Sequence, residues 1–118
     1  PLNKDTKNFI SQTELKLMKK NSILVNTSRG GIVNENDLYQ ALKSKKIRGA
    51  GMDVFISEPP ESNHPFFQLD NILLTPHNAA LTLECRRRMS LEASENIFYF
   101  LKNMPELNED NLVNKKFL

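Results

Sequence analysis

With 118 residues, the chain has room for one domain and one hydrophobic core, and is short for a complete dinucleotide-dependent enzyme. Its 39% hydrophobic and 25% charged residues fit a folded globular chain and argue against disorder. The formal net charge of +2 is too slight to imply a nucleic-acid or membrane surface.

A first helix is expected from the S-x-x-E capping box of Ser11 and Glu14, with Leu15 and Met18 as its apolar face and Lys19 and Lys20 at its basic end. Asn21 turns the chain into residues 22–26 (SILVN), which read as a strand buried on both faces. Thr27, Ser28, Arg29, Gly30 and Gly31 follow as a loop whose two glycines are free to take positive φ. A second helix starts at the N-cap Asn34 and carries Leu38, Ala41 and Leu42 on one face, with Lys43, Lys45 and Lys46 in its last turn. Residues 50–55 (AGMDVF) form the next strand, where alanine and glycine suggest a helix packed closely over the sheet. A proline-bearing connection over residues 58–70 leads to the strand 72–75 (ILLT) and the turn Thr75-Pro76-His77.

The last long element is a helix over residues 81–103, on which Met89, Ala93, Ile97, Phe100, Leu101 and Met104 recur with a 3.6-residue period. Pro105 stops it. The tail 105–118 is polar until Phe117 and Leu118, and is expected to dock elsewhere or stay mobile. Arg86, Arg87 and Arg88 fall on the helix, where consecutive side chains point about 100° apart, so they read as a solvated face. Strand alternating with helix implies parallel β-α-β crossovers. Cys85 is the only cysteine, which rules out an internal disulfide framework and favours a reducing compartment, the cytoplasm. One cysteine and two distant histidines, His64 and His77, form no metal-ligand pattern. No segment resembles a signal peptide or reaches the length of a membrane span. Opening at Pro1, the chain is expected to be a piece of a longer polypeptide.

Three polar residues stand just past the three strands: Arg29, Glu58 and His77. In an open parallel sheet, ligands bind outside the carboxyl ends of the strands. A guanidinium that grips a carboxylate, beside an imidazole poised by an acid, suits redox chemistry on a 2-oxo acid. Taken singly, Arg29 would pass for a surface cation, Glu58 for a turn residue and His77 for a helix-entry residue. Their joint placement at three strand ends argues otherwise. Asp53 is informative alone, because an acid inside an apolar run must find a partner. His64, in a polar loop before Pro65, reads as structural. Gly49-Ala50-Gly51 gives G-x-G, but Val54 takes the third glycine position and the run enters a strand, so it is no phosphate loop. A diphosphate cradle would lie upstream of Pro1.

Residues 26–35 (NTSRGGIVNE) resemble the N-x-x-R-G-x-x-V-x-E signature of the D-isomer-specific 2-hydroxyacid dehydrogenases. Residues 51–59 (GMDVFISEP) are similar to the G-x-D-V-F-x-x-E-P of that family, residues 71–77 (NILLTPH) to its N-x-x-x-T-P-H, and Pro1-Leu2-Asn3 to its P-L-T. The likeness spans residues 1 to about 104 in order and spacing. It implies a Rossmann-like α/β fold, a parallel sheet flanked by helices, forming the second half of a dinucleotide-binding domain. Residues 1–104 would be the C-terminal portion of that NAD(P)-binding domain, ending in the crossover helix 81–103, and 105–118 a tail returning to a substrate domain.

By the same resemblance, Arg29 would bind the substrate carboxylate and polarise the keto oxygen, with a planar fork that lysine does not reproduce. His77 would be the general acid for ketone reduction and the base for alcohol oxidation, and Glu58 would orient and charge-stabilise it. Asp53 would contact the nicotinamide carboxamide, and Thr27, Ser28, Arg29, His77 and Asn78 would line the nicotinamide side. One departure stands out: relatives commonly place a glycine just after the T-P-H histidine, where this chain has Asn78-Ala79-Ala80. The implied cofactor is NAD, with NADP open. The implied partners are a small 2-oxo or 2-hydroxy acid and a second copy in a homodimer, with no nucleic acid and no membrane. The isolated chain is expected to be inactive. Two other readings stay open from sequence: an NAD(H)-sensing corepressor-like protein of the same fold, and a purely structural dimerisation segment.

Overall fold

The computed structural model describes residues 1–104, 107, 108, 111 and 112. The chain divides into two compact units, Pro1–Ala79 and Ala80–Leu118.

The first unit is a three-stranded parallel sheet in the order β1-β2-β3, with β1 over Ile23–Asn26, β2 over Gly49–Met52 and β3 over Ile72–Leu74. Before it comes the short helix α1 (Gln12–Leu17), and α2 (Glu35–Lys43) connects β1 to β2. The expected capping acid is in place: Ser11 donates both its backbone N–H (2.8 Å) and its hydroxyl (2.7 Å) to the Glu14 carboxylate. The N–H of Gln12 donates to Asp37 of α2 at 3.0 Å, which ties the two helices together. Asn34 caps α2 by accepting from Asp37 N–H at 3.1 Å. At its other end α2 closes in a Schellman motif, with Lys45 N–H to Leu42 O and Lys46 N–H to Ala41 O, and with Lys45 at φ +54°.

The apolar stripe predicted for α2 is the core. Leu38, Ala41 and Leu42 are buried with Leu15, Val33, Ile47, Ala50, Met52, Phe55 and Phe66. A fully buried side chain of this kind contributes about 1.5–3 kcal/mol. Phe66 comes from the 3-10 turn Pro65–Gln68 inside the connection between β2 and β3.

Several expectations are corrected here. The first strand is not buried on both faces: Ile23 and Val25 are 57% and 67% exposed, and Leu73 of β3 is 71% exposed, while Leu24, Ile72 and Leu74 pack against the core. One helical layer covers one face, and alternation does the rest. Ala50 of the second strand is buried with Leu38, Ala41 and Leu42 of α2, as an alanine there suggests, whereas a Cβ on Gly51 would meet only the Val25 side chain, at 3.7 Å. The second strand ends at Met52 instead of 55, because the chain turns at Asp53 while Val54 and Phe55 continue into the core from a loop.

In the second unit the helix α3 runs over Leu83–Leu101, shorter at both ends than the periodicity predicts. Thr82 caps it, its side chain accepting from Cys85 N–H at 3.1 Å. Asn103, at φ +50°, ends it in a second Schellman motif, with Met104 N–H to Tyr99 O. None of its residues is buried. Pro105, the expected stop, lies outside the described residues, as does most of the tail. Among the described residues no helix is long and apolar enough to cross a membrane.

Candidate active site

Parallel pairing sets Asn26, Met52 and Leu74 level with one another, so the segments following them gather at the carboxyl edge of the sheet. Arg29, Glu58 and His77 all lie in those segments.

Asn26, only 4% exposed, shapes the first segment. Its side-chain oxygen Oδ1 accepts from the N–H and hydroxyl of Ser28 (3.1 and 2.7 Å), and its side-chain Nδ2 donates to the carbonyl of Arg29 (3.1 Å). This is an Asx-type turn that holds residues 27–29. The Arg29 guanidinium is exposed and donates to the Ser28 carbonyl at 2.6 Å. Thr27 and Ser28 are exposed beside it. The two glycines that follow serve different purposes. Gly31 has φ +80°, whereas a Cβ on Gly30 would sit 1.8 Å from the Phe55 carbonyl oxygen. Gly30 is therefore required by the backbone-to-backbone approach of the Arg29 loop and the loop carrying Glu58.

Glu58 accepts the Phe55 N–H at 2.9 Å with one oxygen and meets His77 Nδ1 at 2.8 Å with the other. These contacts hold its carboxyl below the usual carboxylate range, the His77 hydrogen bond first and the Phe55 N–H second, with the Arg29 charge contributing. An ionised carboxylate has no proton to give, so Nδ1 of His77 carries the hydrogen and donates. That leaves Nε2 as the atom able to take or give a proton. Both side chains are partly exposed, His77 at 45% and Glu58 at 37%. They line a cavity of about 220 Å³ together with Phe55, Pro59, Pro60 and Pro76.

Asp53 holds His77 in place. The imidazole residue stands in the left-handed region, at φ +52°, which costs a non-glycine residue about 1–2 kcal/mol. Asp53 offsets that cost on every side. Its carbonyl accepts His77 N–H at 2.8 Å. Its carboxylate accepts the N–H groups of Asn78 and Ala79, each at 2.9 Å, and the Thr75 hydroxyl. Successive N–H groups converging on an anion make a nest. The Thr75 hydrogen bond is the leading cause that keeps the Asp53 carboxyl below its ordinary range, with the two backbone donors adding to it. Three of the roughly four acceptor positions of this carboxylate are thus taken within the turn. Asp53 is 3% exposed and Asn78 is exposed.

Sequence reasoning missed one feature: Asn26 organises the arginine loop, and the signal for it was a polar residue closing an apolar run. His64, read as structural, sits with its ring beside Phe55, Phe66 and Phe67 and meets Glu35, a partner the sequence did not indicate, at 3.3 Å.

A parallel sheet with helices packed on it, carrying an imidazole–carboxylate pair at its carboxyl edge, places the first unit in the α/β class. Residues 1–79 match the model of the D-isomer-specific 2-hydroxyacid dehydrogenase NAD-binding domain. The chain belongs to that family. It is 44% identical over 116 residues to a glyoxylate reductase of Aeropyrum pernix, covering 98% of this chain and 34% of that protein. It is 41% identical over 120 residues to a D-3-phosphoglycerate dehydrogenase of Methanocaldococcus jannaschii, covering 95% of this chain and 23% of the relative. Among solved structures, an acyclic imino acid reductase in complex with NADPH and D-Arg superposes with a TM-score of 0.80 at 36% identity, over 91% of this chain and 34% of that one. The NAD-complexed D-isomer-specific 2-hydroxyacid dehydrogenase of Lactobacillus delbrueckii ssp. bulgaricus has a TM-score of 0.76 at 30% identity, over 91% and 37%. The chain spans about a third of the length of the glyoxylate reductases it matches.

Proposed function

We propose that this chain is the catalytic portion of the nicotinamide-binding domain of an NAD(P)-dependent D-2-hydroxyacid dehydrogenase that reduces small 2-oxo acids. The observation that carries the reading is the His77–Glu58 pair: with Nδ1 engaged by the carboxylate at 2.8 Å, the ring is held in one tautomer, and its Nε2 lines up one proton for one acceptor. In ketone reduction the protonated ring donates from Nε2 to the carbonyl oxygen as charge develops there, and Glu58 stabilises the imidazolium before the proton leaves. In the reverse direction the neutral ring takes the hydroxyl proton. Arg29, on the neighbouring loop, pairs with the substrate carboxylate and steadies the negative charge on the oxygen.

The residues at this edge fit a nicotinamide amide. Asp53 has an acceptor position beyond the three used in its turn, and Thr27, Ser28 and Asn78 are exposed polar residues in the segments that follow β1 and β3. Bound there, the dinucleotide supplies or accepts the hydride. Its diphosphate needs a glycine-rich turn opening a helix, which is not among residues 1–118. Residues 1–104 accordingly form the C-terminal part of the cofactor domain, with the open sheet face of Ile23, Val25 and Leu73 covered by the preceding half and the tail returning to a substrate domain. The assembly we infer is a homodimer, supported by the exposed apolar residues Met89, Ile97 and Leu101 of α3. A single cysteine fits a reducing, cytoplasmic setting.

The test is turnover by the polypeptide of the complete gene. NADH and NADPH oxidation is followed with glyoxylate, hydroxypyruvate and phosphohydroxypyruvate as acceptors, and the product is assigned its configuration. Formation of a D-2-hydroxy acid, or of glycolate from glyoxylate, is the expected result. A complete protein that binds NADH but turns over none of these acids overturns the reading.

A further inference from the structure

Two successive N–H groups in one loop are held by two different carboxylates. The N–H of Phe55 donates to Glu58 at 2.9 Å, and the N–H of Ile56 donates to Glu35 at 2.7 Å. Glu35 is the first residue of α2, where the helix dipole favours an anion. Its other oxygen lies 3.3 Å from His64 Nε2. The Phe66 N–H donates to His64 Nδ1, also at 3.3 Å. Nδ1 therefore presents a lone pair, Nε2 carries the hydrogen, and His64 is a donor to Glu35. Unlike the His77–Glu58 pair, this one is largely covered, with side chains 16% and 14% exposed. The imidazole makes edge contacts with the Phe55, Phe66 and Phe67 rings at 5.6, 4.9 and 5.9 Å.

An apolar side chain would fill a space among three phenyl rings without the desolvation that a carboxylate–imidazole pair incurs. What an apolar side chain could not do is accept the Ile56 N–H and keep the accepting oxygen fixed. The Phe55–Ile56 peptide is also the one pressed against Gly30, so its placement sets both the Glu58 and the Arg29 loops.

We propose that Glu35 and His64 are positioning residues: together they clamp the Phe55–Ile56 peptide and so fix where Glu58 presents its carboxylate to His77. The proposal rests on the reading of Glu58 and His77 as the reacting pair. It assigns the second histidine a part in placing the reacting pair. The required groups are a donor at Nε2 of residue 64 and a carboxylate at residue 35. His64→Gln can place an amide N–H near the position of Nε2–H and so keep the clamp, whereas His64→Leu and Glu35→Gln break it.

NMR on the isotope-labelled chain tests this. The carboxyl carbon of Glu58 is titrated in the wild type and in Glu35→Gln, His64→Leu, His64→Gln and, as control, His77→Gln, while exchange of the Ile56 amide is followed in each. The expected result is a Glu58 midpoint that moves up toward the ordinary carboxylate range in Glu35→Gln and His64→Leu, and stays near the wild type in His64→Gln. Ile56 exchange should quicken roughly ten- to a hundredfold in the two breaking variants, the range that goes with losing a hydrogen bond to a charged group. A Glu58 midpoint unmoved in both, with His77→Gln shifting it, overturns the clamp alone. A midpoint unmoved even by His77→Gln overturns the pair itself and the clamp with it. The wild type alone is decisive should the variants fail to fold: an Ile56 amide exchanging at the rate of an open chain refutes the proposal.

Discussion

Gly30 and Gly31 are adjacent and chemically identical, yet replacing each by alanine should have different consequences for different reasons. At Gly31 the obstacle is conformational. Its φ is +80° and a Cβ would find open room, with nothing nearer than the Leu2 methyls at 3.7 Å. The expected cost is about 1–2 kcal/mol, that of holding an L-residue in the left-handed region, offset slightly because alanine loses less backbone entropy on folding. At Gly30 the obstacle is solid. The Cβ would fall 1.8, 2.1 and 2.6 Å from Phe55 O, Phe55 C and Ile56 N, all backbone atoms that no rotamer change can move. The two loops must separate by more than 1 Å, so the cost should exceed the usual overpacking range of about 1–3 kcal/mol. For a unit of this size, each kcal/mol corresponds to roughly 4–8 °C in Tm. Gly31→Ala should therefore melt roughly 4–16 °C below the wild type, and Gly30→Ala should melt lower still or fail to fold. Thermal unfolding of the chain followed by circular dichroism, with urea unfolding as a check, measures both. A Gly30→Ala chain at least as stable as Gly31→Ala would refute the backbone-contact argument.

Other outcomes follow from the same geometry. Lys45 occupies the left-handed C′ position where glycine is usual, so Lys45→Gly should stabilise the chain by about 0.5–1 kcal/mol, and a lower urea midpoint than the wild type would count against it. Asp53 and Glu58 have native carboxyl values below the ordinary range, owing chiefly to the Thr75 hydroxyl and the His77 ring respectively. The unfolded chain thus binds more protons in acid, and the stability these groups confer is complete above the unfolded carboxylate values near pH 4 and is lost as pH falls through the native ones. The urea midpoint should drop below about pH 4, and less steeply in Asp53→Asn; a midpoint flat between about pH 5 and 3 contradicts it. In the complete polypeptide, His77→Ala should lower kcat by about 10²–10⁴-fold, and Arg29→Lys should raise KM for the oxo acid and lower kcat as well; unchanged steady-state kinetics in either removes the role assigned. Calorimetric titration of the 118-residue chain with NADH should show no low-micromolar binding, because the element that grips the diphosphate is missing from it; tight binding would mean that the sheet edge carries the affinity.

Much of the site was legible in the linear sequence because its logic is local. A short strand ends within or just past its apolar run, and the polar residues of the following segment then gather near the sheet edge. That is why Arg29, Glu58 and His77 could be singled out before any coordinates, and why α2 shows its core face through Leu38, Ala41 and Leu42. The faults of the sequence reading have the same origin. A run such as SILVN is equally apolar on both faces, and nothing local says that only one face is covered by the helices within this chain.

What the sequence by itself determined, then, is the set of elements and which side chains fall at their ends, since period, caps and turns act over a few residues. Only the tertiary structure decided who meets whom. Parallel register brings Asn26, Met52 and Leu74 level, and Asp53 can then reach 25 and 26 residues ahead to Asn78 and Ala79. Glu35 finds His64 across 29 residues, and Gly30 meets the Phe55 carbonyl. Contacts of that sequence separation depend on the loop closures made when the sheet and helices pack. No propensity or spacing rule encodes them, because the partner exists at that place only once the whole unit has folded.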